Sequence, residues 1–191
     1  STNDPDWANF RRRAVNEFFR RCQAEVQAAD NPRQPLRHTA SLMAYGSAPA
    51  TCEKFTSTSS YLNMGDYASW MQNGWLDAGI PMIYKREYDP AQRTDYRNWV
   101  NRFRDCWRGD RHVYIGQGSY MNTSFADSAT QMTYAADEVD GVVNYSYWVT
   151  RYNNQNDTTW YTAYLPANLF TEVVPTPSMP WRDPATATEG M

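Results

Sequence analysis

The sequence predicts an α/β fold with parallel strands, built from about four β-α units of the kind that make a (β/α) TIM barrel. Three observations lead there. Helical and strand-like patterns alternate strictly along the chain, which implies right-handed β-α-β units and a parallel sheet. The strands are short and apolar, with aromatic, polar and glycine residues at their C-terminal ends, where barrel active sites lie. The length, 191 residues, allows a real core but falls short of the roughly 250 residues of a complete barrel. A doubly wound nucleotide-binding fold is the rival, and no strand is followed by G-x-G-x-x-G or a Walker loop.

The elements follow in order. Asp4 caps a first helix with Pro5 at its first position, where the missing N–H is harmless. Phe10, Ala14, Phe18, Cys22 and Val26, reinforced by Val15 and Phe19, form its apolar stripe. Arg11, Arg12, Arg13, Arg20 and Arg21 make the solvated face, and Asn31-Pro32 and Pro35 end the helix. A strand His38–Ala44 is closed by Gly46 and Pro49, and a Ser/Thr-rich loop runs from Ser47 to about Asn63; loops this long are usually functional. Asp66 caps a helix whose inner face is Tyr67, Trp70 and Met71. The second strand is Gly79–Tyr84, followed by a charged loop, Lys85–Gln92. Tyr96, Trp99, Val100, Phe103 and Trp107 mark the next amphipathic helix. Strand His112–Gly116, a helix from Phe125 to Ala136, strand Gly141–Tyr145 and a short helix from Thr158 to Leu165 complete a unit spanning 1–165. Pro166, Pro175, Pro177, Pro180 and Pro184 make 166–191 an extended closing tail or linker.

Composition narrows the function. Net charge is -3 with a pI near 5.4, which offers no basic field for nucleic acid or an anionic membrane. No apolar run is long enough to span a bilayer, and the N-terminus lacks a signal-peptide layout. Aromatics reach 15%, and only Lys54 and Lys85 among the 18 basic residues are lysine. Trp and Tyr faces beside Asn, Gln, Ser and Thr suit a saccharide cleft. Cys22, Cys52 and Cys106 are too few and too far apart for a disulfide framework or a zinc site. Cys22 and Cys106 read as buried thiols, and Cys52 as a residue able to pair outside this chain. His38 and His112 begin their strands and point to the opposite end, so neither a metal site nor a Ser-His-Asp triad is expected. No cofactor signature is present.

Several segments resemble one family. Gly79-Ile-Pro-Met-Ile-Tyr84 after Trp75-Leu-Asp77, with Asp66-Tyr-Ala-Ser-Trp70 before it, is similar to a strand and helix of the family 10-like glycosyl hydrolases. Tyr114-Ile-Gly-Gln-Gly-Ser-Tyr120 resembles that family's penultimate strand, Asp140-Gly-Val-Val-Asn-Tyr-Ser-Tyr147 its closing strand, and Pro177-Ser-Met-Pro-Trp181 its C-terminal closure. Trp7, Phe10-Arg11-Arg12 and Val15-Asn16 resemble the helix after its fourth strand. The resemblance implies the C-terminal half of a secreted or envelope-associated barrel that cleaves glycosidic bonds of a polysaccharide. It also implies that four strands, and the acidic cluster ending the fourth, belong upstream of Ser1. The missing half then comes from another segment or chain, or from a second copy in a homodimer.

Glycoside hydrolysis uses two carboxyl groups across the scissile bond. Glu87, just past the second strand, is the candidate catalytic carboxylate in this half, with Lys85 and Arg86 beside it to keep it ionised. Asp89 is the weaker alternative, because Asp89-Pro90 reads as a helix start. Asp77 precedes its strand and falls on the stability face. Tyr84, Gln117, Tyr120, Tyr147 and Trp148 lie at C-terminal strand ends and are the candidate sugar contacts, with Tyr45 beside them. A non-catalytic carbohydrate-binding or structural barrel is the alternative function.

Overall fold

The structure is a computed structural model that describes residues 4–31, 36–150 and 156–182. Pro32, Pro35 and Pro184 lie outside the described residues. Helix α1 spans Pro5–Ala29, with Asp4 accepting from the Asp6 amide as its cap. Strand β1 is Thr39–Met43. The segment after it folds into a tight turn at Cys52–Ser57 and a short helix α2, Ser59–Leu62. Then come α3 (Tyr67–Gln72), β2 (Ala78–Met82) and α4 (Pro90–Arg102), which widens into a π-type turn over Phe103–Trp107. Strand β3 is His112–Gly118, α5 Phe125–Glu138, β4 Gly141–Tyr145 and α6 Leu165–Asn168. The four strands pair in parallel in the order β1-β2-β3-β4. Among the described residues, no helix is long and apolar enough to cross a membrane.

Side-chain alternation divides the sheet. Leu42, Ile83, Val113 and Ile115 are buried toward the helices. Beneath them lies a lattice of large rings: Phe103 stacks on Tyr67 at 5.1 Å and meets Trp107 edge-on at 5.2 Å. Trp99, Phe103 and Trp107 are all essentially inaccessible, and truncating such a ring to alanine typically costs about 3–5 kcal/mol. The α4 stripe read from the sequence is therefore the principal core face. The other sheet face carries Met43, Val143 and Tyr145, which are 44%, 40% and 54% exposed.

Helix α1 departs from expectation. Phe10 and Phe18 are 55% and 61% exposed. The packed face keeps Val15 and Phe19, as expected, but otherwise carries Arg12, Asn16 and Gln23. Its polar members meet buried polar groups: Asn16 accepts from the Trp70 indole at 2.7 Å and donates to Asp66 at 2.9 Å. Arg12, expected on the solvated face, is buried against the Tyr61 ring and donates twice to its carbonyl. Hydrophobic spacing alone could not identify a face selected by such bonds. The cysteine expectation is also corrected. Cys52 and Cys106 form a disulfide within the chain, leaving Cys22 free and half-buried.

The N-terminal end of the sheet is closed by Asp77, which is fully buried. Its carboxylate accepts from the His38 amide at 2.8 Å, the Trp181 indole at 3.0 Å and the Gln23 amide at 3.2 Å. Arg182 Nε lies 3.2 Å away, a charge pairing without hydrogen-bond alignment. The proline-rich tail runs exposed through 171–178 and then folds back, so that Trp181 stands edge-on to His112. Burial lowers the basicity of His38, which bonds to Gln23. His38, His112 and Asp77 thus occupy the end opposite the strand C-termini. Asp77→Ala leaves the buried Arg182 guanidinium only Asp30, at 3.6 Å, as counter-charge among the described residues and strips the Trp181 and Gln23 donors of their acceptor, a loss of about 3–5 kcal/mol. Denaturant unfolding measures it, and a loss under about 1 kcal/mol, the scale of a single ordinary hydrogen bond, would remove Asp77 from this role.

Candidate functional site

Parallel strands bring their C-terminal ends to one rim, and residues on the sheet face away from the helices form an aromatic cluster there. Tyr84 follows β2, Tyr145 ends β4, and Tyr120 lies in the turn after β3. The Tyr84 and Tyr145 rings stack at 5.5 Å, with Tyr120 edge-on to both at 5.8 and 6.1 Å. Gly118 makes this possible. A Cβ there would come within 2.9 Å of the Tyr84 ring, so only a glycine lets the ring lie over strand β3.

Two hollows open beside the cluster. One, of about 520 Å³, is lined by Met43, Tyr45, Met82, Tyr84, Tyr120 and Met121, with Lys85 at its margin. The other, of about 420 Å³, is lined by Tyr120, Tyr145, Ser146, Trp148 and Val149. Tyr120 belongs to both, so the hollows adjoin. Their size falls in the range of small-molecule sites. Lys85 donates to the Gly46 carbonyl at 2.6 Å and pairs with Asp95 at 2.7 Å, which fixes its ammonium at the wall. Among the described residues, no aspartate or glutamate lines either hollow, and no group of three or more His, Cys, Asp or Glu side chains could hold a metal.

Of the residues proposed from sequence, Tyr84, Tyr120, Trp148 and Tyr45 come together here. Tyr147 is displaced: it is 70% exposed and stacks on Tyr161 at 5.2 Å. Gln117 points the other way. It has the parity of Val113 and Ile115, is fully buried, and donates to Gln131 at 2.6 Å. Gln131 also receives a bond from Asn122 and donates to the Lys85 carbonyl, so this amide network supports the rim from below. Glu87 does not reach the hollows either. Its carboxylate is buried in a two-pronged pair with Arg97 at 2.8 and 3.1 Å, and its amide donates to Asn122. The two bonds to Arg97 tie the loop after β2 to α4, which gives Glu87 a bracing role. Asp89 caps α4 through the amides of Ala91 and Gln92. Sequence reasoning missed Tyr145, Met43, Met82 and Met121. Tyr145 shares the parity of Val143, a signal available once the sheet face turned away from the helices is known.

Comparison with protein-family models, curated proteins and solved structures finds no match to this chain.

Burial raises the pKa values of Tyr84 and Tyr120 above the ordinary phenol value near 10, and the neighbouring tyrosines add to it. Tyr67 and Tyr96, deep in the core, are raised much further by burial. Such phenols hold their protons more tightly folded than unfolded. Stability from these groups is therefore level below about pH 10 and falls as pH rises through the folded values. Ultraviolet difference titration should show Tyr84→Phe removing a phenol that ionises above the ordinary range. A lost phenol that ionises at or below that range would contradict the packed cluster.

Proposed function

We propose that the aromatic rim binds a saccharide, and that the chain is the C-terminal, sugar-binding half of a glycoside hydrolase-like (β/α) barrel. One observation carries the reading: Tyr84, Tyr120 and Tyr145 converge at the C-terminal ends of neighbouring parallel strands, beside two adjoining hollows that also expose Trp148. Aromatic faces stack on sugar C–H faces while phenol hydroxyls meet sugar hydroxyls. The motifs resembling family 10-like glycosyl hydrolases agree with it. Hydrolysis needs a carboxyl pair, and the described lining of the hollows contributes none, so at least one acid of the pair is expected from residues outside those described. The pairing of Glu87 with Arg97 favours a second reading, a carbohydrate-binding barrel without hydrolysis. The Cys52–Cys106 disulfide supports a secreted or envelope location, because disulfides persist in oxidising compartments.

Titration calorimetry with hexamers of β-linked glucose, xylose and N-acetylglucosamine tests the site. At least one hexamer should bind, and Tyr84→Ala and Trp148→Ala should each weaken it on the order of tenfold, about 1.4 kcal/mol, with the melting temperature unchanged. Absence of binding, or variants that keep full affinity, would overturn the reading. Release of reducing ends by a chain extended upstream of Ser1 separates the hydrolase from the binding barrel.

The barrel part of the proposal rests on the uncovered sheet face. Parallel sheets are covered on both sides, and β1 and β4 each leave one edge unpaired among the described strands. Leaving each large inward side chain exposed forgoes about 1.5–3 kcal/mol. Further strands, from another segment or chain or from a second copy, complete the enclosure. Residues 1–191 alone should therefore self-associate or open readily. A monomer in size-exclusion chromatography with slowly exchanging amides in both Thr39–Met43 and Gly141–Tyr145 would refute the half-barrel.

A further inference from the structure

We infer that one stripe of α4 moulds the wall of the larger hollow, making Asp95, Trp99, Arg102 and Cys106 positioning residues for whatever binds there. The inference rests on the rim being a binding site. These four residues recur at helical spacing and so share one face of α4 and its π-type extension. Each grips the segment between β1 and the Cys52–Ser57 turn. Asp95 accepts from the Ala48 amide at 2.8 Å. The Trp99 indole donates to the Gly46 carbonyl at 3.0 Å. Arg102 donates to the Pro49 carbonyl at 2.9 Å and, more closely, to that of Ala50. Cys106 closes the series through its disulfide to Cys52.

The gripped segment has no regular structure between Met43 and the turn at Cys52. Its backbone polar groups therefore need partners from outside any ladder, and α4 supplies them. Gly46, with φ +74°, turns the chain in a conformation other residues rarely adopt. Its carbonyl also accepts from Lys85, whose ammonium pairs with Asp95, so a lining residue is part of the same grip. The same segment presents Ala44, Tyr45 and Gly46 to the hollow. A wall fixed before binding spares the ligand the cost of ordering it.

The test combines hydrogen exchange with calorimetry on the whole chain. In Arg102→Ala, and in Cys52→Ser with Cys106→Ser, the Ala48 amide, which donates to Asp95, should exchange about tenfold faster while the amides of β2 and β3 keep their rates. Affinity for the bound hexamer should fall roughly threefold or more. Asp95→Asn keeps an oxygen for the Ala48 amide and should retain protection there, whereas Asp95→Ala should lose it. Unchanged exchange at the Ala48 amide would overturn the inference. So would faster exchange spread over the whole sheet, or faster local exchange with hexamer affinity intact. If none of the three hexamers binds the unaltered chain, the saccharide reading falls, and the exchange rates alone uphold or overturn the grip.

Discussion

The structure depends on one constraint: four strands pair in parallel while their helices cover a single face. Parallel pairing sends every C-terminal strand end to the same rim, and alternation then assigns each side chain to one face or the other. Leu42, Ile83, Val113 and Ile115 go beneath the helices, whereas Met43, Met82, Tyr84, Val143 and Tyr145 go to the open face. Core and candidate site are thus the two sides of one sheet. The rings of α4 pack one side, and the tyrosines gather on the other, where Gly118 leaves space for them.

The two ends of the sheet use different chemistry. At the N-terminal end a single buried carboxylate, Asp77, joins α1 through Gln23, the start of β1 through His38 and the returning tail through Trp181 and Arg182. Its lone pairs are taken up by protein donors, which suits a fastening. At the C-terminal end the hollows present ring faces, thioethers and phenol hydroxyls, with Lys85 anchored at the margin. Charged groups near that rim are spent internally, Glu87 on Arg97 and Asp95 on Lys85. What remains open to a ligand is largely aromatic.

Much of this was legible in the residues. Spacing along α4 identified Tyr96, Trp99, Val100, Phe103 and Trp107 as core, because a long apolar stripe of large rings has one use in a soluble helix. Helix-cap chemistry at Asp4 and Asp89 located two helix starts. The order of elements indicated parallel strands, and position at strand ends pointed to Tyr84, Tyr120 and Trp148. One error at the rim has a physical cause. In strands that are apolar on both faces, the hydrophobic pattern does not reveal which parity faces the helices. Gln117 was therefore expected at the site, although it turns toward the helices with Ile83 and Ile115.

The sequence by itself determined local matters: where several helices start, which runs become strands, and that the chain is rich in aromatic rings. Those features depend on neighbours within a few residues. Tertiary structure decided the rest. It joined Cys52 to Cys106 across 54 residues of sequence, turned α1 so that Arg12, Asn16 and Gln23 rather than Phe10 and Phe18 face inward, and drew Glu87 to Arg97. Each of these outcomes depends on which distant polar or sulfur group a side chain meets once the layers pack, and the spacing of residues along the chain carries no record of that partner.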